Sequence, residues 1–257
     1  MNRAVARRRT ALVLLGSAAL GLAGLTVAPV QAADDAKIYV VQGLPGRTVD
    51  VAVDGKTVAE DVKTAAVTKG FPVEAGSRKV TFSDDGNVLL ERMFKVTAGS
   101  SWDVVVHLPA DAGQDADPAV TVFRNDLSDV PRGKASLTVA HTARVGEADV
   151  RVDDKVLFAN IENGESLNLV VPVATYEVAI VPAGKSSPVV LGPVDLTVQG
   201  GALNRVYAIG DPSKKTMNVA VHVIETGTSG SEQPSRVDTG TGGQAERLQR
   251  SETALWS

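Results

Sequence analysis

A ten-residue stretch occurs twice in this chain. VDVAVDGKTV, residues 49–58, returns 99 positions later as ADVRVDDKVL, residues 148–157, with five of ten positions identical. In both copies valine alternates with other residues, which is the period of a β-strand that buries one face. A repeated strand pattern of this kind predicts a repeated β unit.

Each copy continues into a turn sequence. Asp54-Gly55 and Asp153-Asp154 tolerate the positive φ angles that a two-residue type I′ hairpin turn requires. The register of such a hairpin is fixed by its turn. It places Val51 opposite Val58 in the first copy and Val150 opposite Leu157 in the second.

The duplication extends beyond the hairpin, because residues 38–43 align with 137–142 and residues 95–106 with 197–208. Each copy spans roughly 90 residues, enough to form a core of its own. We predict a first domain over 36–126, a linker over 127–135 and a second domain over 136–225.

Seven short alternating runs per copy, rich in valine, predict an all-β fold of two tandem immunoglobulin-like or transthyretin-like β-sandwich domains. One segment, Val58–Val67, is also compatible with a short amphipathic helix. Its repeat partner, residues 157–166, contains Asn160 and Asn163-Gly164, which favour turns over helix. The repeat therefore favours strand, loop and strand here.

The N-terminus has the pattern of an export signal: four arginines in the first nine residues, an apolar run from Ala11, and a small-x-small site ending at Ala32. We expect a signal peptide over residues 1–32, cleaved between Ala32 and Ala33. The adjacent arginines leave both the general secretory route and the twin-arginine route open.

The charge of the chain after residue 32 excludes some classes of partner. It has 22 basic and 30 acidic side chains, a formal net charge of −8. Nucleic acid is therefore not expected as a partner, and no membrane span is expected after signal removal. The absence of cysteine excludes disulfides and thiolate chemistry. Residues 226–257 are polar and rich in glycine and serine, and are predicted to form a disordered tail.

Candidate site residues are few, and no cofactor is expected. Asp111, Asp115 and Asp117 could chelate calcium, but they lack the spacing of an EF-hand, and a solvated acidic loop is the preferred interpretation. Trp102, at the start of a strand, is interpreted as an anchor at the rim of the core, with an exposed sugar-binding aromatic as the alternative.

The three histidines differ in their expected faces. His107 and His222 alternate with the apolar residues of their strands and are expected to face solvent. His141 shares the apolar face, and its repeat partner is Gln42. Both are expected to bind backbone groups of the adjoining loop, because buried polar atoms need partners. A ligand contact at this strand-end polar site is the alternative.

Residues 40–56, VVQGLPGRTVDVAVDGK, resemble the opening of the bacterial domain of unknown function 4397 family, in which a V-H-A-S-like strand end leads through a proline-containing loop to a V-D-V-x-V-D-G-K-like hairpin. Residues 139–155, VAHTARVGEADVRVDDK, resemble the same opening more distantly: they keep the family's histidine as His141 but lack the loop proline and the turn glycine. The resemblance implies a secreted or surface all-β module, often in tandem, with no established activity and no catalytic residues to carry over.

Three hypotheses of function follow. The leading one is a non-enzymatic binding module, secreted or loosely associated with the cell wall, whose partner is an envelope polymer or an extracellular protein. The second is a hydrolase that acts through paired carboxylates such as Asp84-Asp85 or Asp153-Asp154, which are also common turn residues. The third is a passive structural spacer. Acids gathered in one pocket would favour the enzyme, and acids dispersed over separate turns would favour binding.

Overall fold

The computed structural model describes residues 35–110 and 117–230. The first repeat contains eight strands: β1 Ala36–Gln42, β2 Thr48–Val53, β3 Lys56–Lys63, β4 Phe71–Val73, β5 Gly76–Asp84, β6 Asn87–Val96, β7 Ser101–His107 and β8 Ala119–Arg124. After β9, Val130–Pro131, the second repeat contains β10 Lys134–Ala143, β11 Ala148–Val152, β12 Lys155–Ile161, β13 Ser166–Pro172, β14 Thr175–Pro182, β15 Leu191–Thr197, β16 Ala202–Gly210, a 3₁₀ helix Pro212–Lys214 and β17 Asn218–Glu225. The last strand is β18, Thr228–Ser229.

The first repeat folds into two four-stranded sheets that enclose one core, here called sandwich 1. Outer sheet 1 has the order β3-β2-β5-β6, and inner sheet 1 has the order β4-β1-β7-β8. The alternating valines of β2 and the equivalent positions of β1 and β7 fill the space between them. The pair β1 and β7 is parallel, and the other pairs of both sheets are antiparallel.

The second repeat, sandwich 2, has the same topology. Outer sheet 2 has the order β12-β11-β14-β15, and inner sheet 2 has the order β13-β10-β16-β17, with β10 and β16 parallel. Its core is a separate apolar cluster. The prediction of an all-β chain of β-sandwich type is therefore confirmed. The segment around Val58–Val67 contains β3 and a bridge between Val41 and Val67, so strand, loop and strand is correct there.

The two hairpin turns form as predicted, but their registers do not. Asp54, Gly55, Asp153 and Asp154 all have positive φ. However, Val51 lies opposite Ala59 and Val150 lies opposite Phe158, one position beyond the expected partners. The cause is a β-bulge, which inserts an extra residue into the second strand of each hairpin.

A second bulge, further from the turn, is held by an aspartate in each copy. Asp50 Oδ1 accepts a hydrogen bond from the backbone N–H of Asp61 at 3.0 Å, and Asp149 Oδ1 accepts one from Asn160 at 2.9 Å. Asp61 and Asn160 both have a φ of 54°. The aspartate at the second position of the repeated sequence therefore serves the same local geometry in both sandwiches.

The two inner sheets pack against each other through the faces that point away from their own cores. Val41, Val105 and Phe123 of inner sheet 1 form one apolar cluster with Tyr207 and Ile209 of inner sheet 2. Four sheets therefore stack in the order outer 1, inner 1, inner 2, outer 2. Both faces of each inner sheet are covered by protein.

The connection between the sandwiches is more ordered than its polar composition indicates. Val130–Pro131, in the predicted linker, pairs in parallel with Thr228–Ser229, in the predicted disordered tail. The start of the tail has few apolar side chains to bury, and backbone hydrogen bonds hold it instead. One of them joins Val130 N–H to the Gly227 carbonyl at 3.0 Å. The disorder prediction is therefore wrong for these residues, and residues 231–257 lie outside the described part.

Candidate functional site

A buried carboxylate lies at the centre of the contact between the sandwiches. Asp103, on β7, is fully buried and accepts hydrogen bonds from three side chains. These donors are the Tyr207 hydroxyl, His222 Nδ1 at 2.9 Å and Asn125 Nδ2 at 2.8 Å. Because a carboxylate only accepts, the proton of the His222 ring lies on Nδ1. The network ties sandwich 1 to two strands of sandwich 2.

Aromatic rings surround this network. The Tyr39 ring lies 4.3 Å from the His222 ring, and Phe123 lies 5.9 Å from Tyr207, measured between centroids. The pKa of the Tyr207 phenol and that of Tyr39 are both raised. In each case burial is the larger cause and the charge of Asp103 is the smaller one. Both phenols therefore stay protonated, and the hydroxyl of Tyr207 can donate to the carboxylate.

The expectation that His107 and His222 face solvent is wrong. Their side chains lie in the contact between the inner sheets, where residue exposures are 1% and 7%. Alternation along a strand places them on the second face correctly, but that face is covered by the other sandwich. Asp103 alternates with the apolar residues of β7 in the same way as His107, so alternation alone also predicts a solvent-facing side chain for it, and the same contact buries it.

His107 is held as a neutral ring. Its Nδ1 lies 3.1 Å from the Leu108 carbonyl and must donate to it, so Nε2 accepts from the Thr121 hydroxyl at 2.8 Å. Burial, and to a smaller extent the nearby His141, lower the pKa of His107 to about 4, against the opposing effect of the Leu108 hydrogen bond. This imidazole cannot serve as an acid or base near neutral pH without disturbing the interface.

Gln42 and His141 both bind the loop that follows their strand. Gln42 Nε2 donates to the Leu44 and Arg47 carbonyls at 3.1 and 2.7 Å. His141 Nε2 lies 3.1 and 2.9 Å from the Val145 and Gly146 carbonyls. These contacts agree with the loop-binding interpretation. His141 Nδ1 is buried and has no hydrogen-bond partner among the described residues.

Two predictions lie outside the described residues. They are the acidic-loop residues Asp111 and Asp115, and the cleavage site at Ala32 and Ala33.

The third acid of the loop, Asp117, lines a cleft of about 660 Å³ between loops of both sandwiches. In this cleft Arg144 pairs with Asp211 at 3.4 Å. Burial acts to raise the pKa of Asp211, but hydrogen bonds from Ser213 and the charge of Arg144 outweigh it and lower the pKa. Within residues 35–110 and 117–230, no three acidic or histidine side chains form a metal-binding group.

The paired turn acids are dispersed. Asp84 and Asp85 lie at the β5–β6 turn of sandwich 1, whereas Asp153 and Asp154 lie at the β11–β12 turn of sandwich 2. Trp102 is half-buried at the edge of its core. Its Nε1 donates to Ser100 Oγ at 2.6 Å, and its ring packs edge-on against Phe94, as expected for a rim anchor.

The edge strand β13 is the candidate binding surface. It has seven residues, SLNLVVP, without a charge, and it is bonded on one side only, to β10. Three of its apolar side chains are well exposed: Leu167 by 40%, Leu169 by 36% and Val170 by 54%. Exposed apolar side chains along an unpaired strand edge are unusual in a free-standing fold, because they invite pairing with another chain.

The hydrogen bonds of β13 show which backbone groups are free. His141 N–H bonds the Glu165 carbonyl at 2.9 Å, and Val173 N–H bonds the Gly133 carbonyl at 3.3 Å. In an antiparallel ladder alternate residues bond to the same neighbour. Odd-numbered residues therefore face β10, and the N–H and C=O groups of Ser166, Asn168 and Val170 point outward.

Sandwich 1 lacks such an edge at the equivalent position of its inner sheet. The equivalent strand, β4, has three residues and contains Pro72. Pro72 pairs with Lys37 as Val170 pairs with Ser136, and Lys37 and Ser136 are equivalent in the repeat. Proline has no N–H to offer a further strand. At this edge of the inner sheet, the long uncharged strand is thus a property of the second copy and not of the first.

Residues 36–151 match the family described as a domain of unknown function (DUF4397). The matched region covers all of sandwich 1 and continues through β9 and β10 into β11. No curated protein matches the chain. Among the described residues, no helix is long and apolar enough to span a membrane.

Sequence reasoning missed the residues that bring the sandwiches together and the free edge of β13. Signals for both were present. Val41, Val105 and Tyr207 occupy the second face of their strands and are apolar or aromatic. SLNLVV departs from strict alternation by placing Val170 and Val171 side by side, and its repeat partner contains a proline.

Proposed function

We propose that the protein is an exported, non-enzymatic binding module that captures an extended segment of a protein partner outside the cytoplasm. Export rests on the signal pattern of residues 1–32, and tandem copies of the family domain rest on the shared topology of the two sandwiches. The observation that carries the binding role is the free edge of β13. An added strand would bond to its three outward residues and cover its exposed leucines.

The two alternatives explain this edge less well. A carboxylate hydrolase needs its acids within reach of one substrate bond, but the paired acids lie on turns of different sandwiches. A passive spacer has no reason to keep an apolar edge in one copy when the other copy is shortened and contains a proline. Strand addition explains why β13 is long and uncharged whereas β4 is short and contains a proline.

Peptide selection tests the proposal. We would pan a phage-displayed library of random linear peptides on residues 33–257, and measure the affinity of enriched peptides for the native chain and for Val170→Pro. The proline removes one outward N–H and copies the residue that sandwich 1 has there. We expect enriched peptides with alternating apolar residues, whose affinity falls at least about tenfold in Val170→Pro.

The matched control is Val170→Thr, which keeps both the N–H and the β-branched shape and should bind the same peptides. Circular dichroism and thermal unfolding would verify that both variants fold. Peptides that bind Val170→Pro as tightly as the native chain would refute strand addition at β13. A library from which nothing is enriched would favour the spacer.

A further inference from the structure

An apolar cavity of about 330 Å³ opens into the core of sandwich 2 between the edge strands β15 and β17. Its walls are mainly apolar, and include Ile180, Leu191, Leu196, Val206 and Met217. Asp195 and Asn218 are the polar residues that also line it. Val194 and Val221 line it with exposures of 38% and 44%, so the cavity is accessible from solvent. It lies at the side of inner sheet 2 opposite β13, and does not depend on strand addition.

Sandwich 1 fills the equivalent space with its own rings. Phe82 pairs with Val51 as Ile180 pairs with Val150, so Phe82 and Ile180 are equivalent. The aligned repeat also places Phe94 where sandwich 2 has Leu196. Phe82 is fully buried, and Phe94 packs against the sandwich 1 core. Two phenyl rings of the first copy are thus replaced by smaller aliphatic chains in the second.

A third position keeps its size in both copies. Leu90 of sandwich 1 pairs with Phe82 as Leu191 of sandwich 2 pairs with Ile180, and each leucine packs against its own core. Beside Leu191, where the pairing of β15 shifts by one residue, Gly192 has a φ of +95°, and a Cβ there would lie 2.5 Å from the Val178 carbonyl oxygen. The difference in filling therefore rests on the two ring positions, and a side chain at Gly192 would not close the space without moving the backbone.

We propose that this cavity is a binding site for a neutral, phenyl-sized apolar ring, free or as the apolar end of a small molecule. The first copy shows which group the space accommodates, since it places phenyl rings there. An apolar cavity of roughly 150 Å³ is already enough to take up benzene. An anionic group is not accommodated, because a charge without partners against apolar walls is strongly disfavoured, and the acidic side chain in the lining, Asp195, offers an anion no partner.

The test titrates residues 33–257 with toluene, p-cresol and benzoate, and follows the methyl resonances by NMR. Toluene and p-cresol should give saturable shifts at the methyl groups of Ile180, Leu191 and Leu196, and benzoate should give none. Leu196→Phe restores one ring of sandwich 1. It should weaken toluene binding at least about tenfold and raise Tm by about 2–4 °C.

Leu127→Phe is the matched control, because it adds the same ring at an exposed position outside the cavity and should leave toluene binding unchanged. Ile180→Phe serves as a second filling variant if Leu196→Phe does not fold. Saturable shifts that persist in a folded filling variant, or no saturable shift in the native chain, would overturn the proposal. In the second case the space is a packing difference between the copies and nothing more.

Discussion

Replacing His107 by glutamine should make the fold less sensitive to acid. The native imidazole is buried in its neutral form, with a pKa lowered from 6.5 to about 4. The unfolded chain therefore binds a proton at this residue in a range where the folded chain does not. This contribution to stability is fully present above pH 6.5, is lost progressively as the pH falls, and is exhausted below about pH 4.

The magnitude follows from the pKa difference. At about 1.4 kcal/mol per pKa unit, the full loss is about 3 kcal/mol, of which about 2 kcal/mol falls between pH 7 and pH 5. Glutamine does not titrate, and its amide can donate and accept in place of the two ring nitrogens. Between pH 7 and pH 5, the free energy of unfolding of His107→Gln should therefore decrease by about 2 kcal/mol less than that of the native chain.

Urea unfolding of residues 33–257 is followed by far-ultraviolet circular dichroism at pH 7 and at pH 5. It measures how much free energy of unfolding each protein loses between the two pH values, and the two losses are then compared. Any constant cost of the substitution cancels, because it is present at both pH values. The carboxylates and other histidines contribute to both proteins and cancel to first order. If the two proteins lose the same free energy between pH 7 and pH 5, within about 0.5 kcal/mol, His107 is not held neutral by burial and the reasoning fails.

Three further predictions follow from the same structure. Asp103→Ala leaves the donors of Tyr207 and His222 without an acceptor inside the contact, and should lower the free energy of unfolding by about 3–5 kcal/mol in urea titrations; a loss below about 1 kcal/mol would show that the network is not needed. His141→Gln installs the residue that sandwich 1 has at this position and removes a buried ring nitrogen without a partner in the described chain, so Tm at pH 7 should be unchanged or higher; a clear decrease would contradict the equivalence of the two strand ends. Purified, protein-free cell-wall sacculi should not pellet residues 33–257 at low or high salt, because the proposed partner is a polypeptide; salt-resistant pelleting would favour an envelope polymer instead.

The sequence predicts the strands and turns of this fold well, because a period of two and an Asp-Gly pair act locally. Valine alternation in residues 49–53 requires one buried face. Positive φ is tolerated at Asp54 because its short polar side chain allows the left-handed region, and at Gly55 because it has no side chain. The register of the hairpin is a different matter. It depends on two bulges, one of which Asp50 holds by a hydrogen bond to a residue eleven positions away, and alternation carries no sign of either bulge.

The contact between the sandwiches could not be predicted from alternation either. The period of a strand separates its residues into two faces, but it does not say what covers each face. Asp103, His107 and His222 are residue types that usually face water. Asp103 and His222 are buried because a hydrogen bond between the two copies replaces bonds to water, and these partners lie more than a hundred residues apart along the chain. His107 is buried in the same contact, but its partners, Leu108 and Thr121, belong to its own sandwich.

The repeat also explains what a fused pair can do that two identical chains could not. By alignment Asp103 is equivalent to Arg205, and by strand pairing Phe123 is equivalent to His222. The equivalent residues also make equivalent contacts: Asp103 bonds His222, and the Arg205 guanidinium lies 5.5 Å from the Phe123 ring centre.

The interface is therefore built like that of a two-fold symmetric dimer, with a carboxylate and imidazole in one half and a guanidinium and phenyl ring in the other. In a symmetric homodimer both halves would have to carry the same residues. Joining the copies in one chain removes that constraint, and it removes it for the outer surfaces as well. The first copy has Pro72 at its strand edge and Phe82 in its core, whereas in the second copy the edge of β13 and the cavity beside Ile180 stay open.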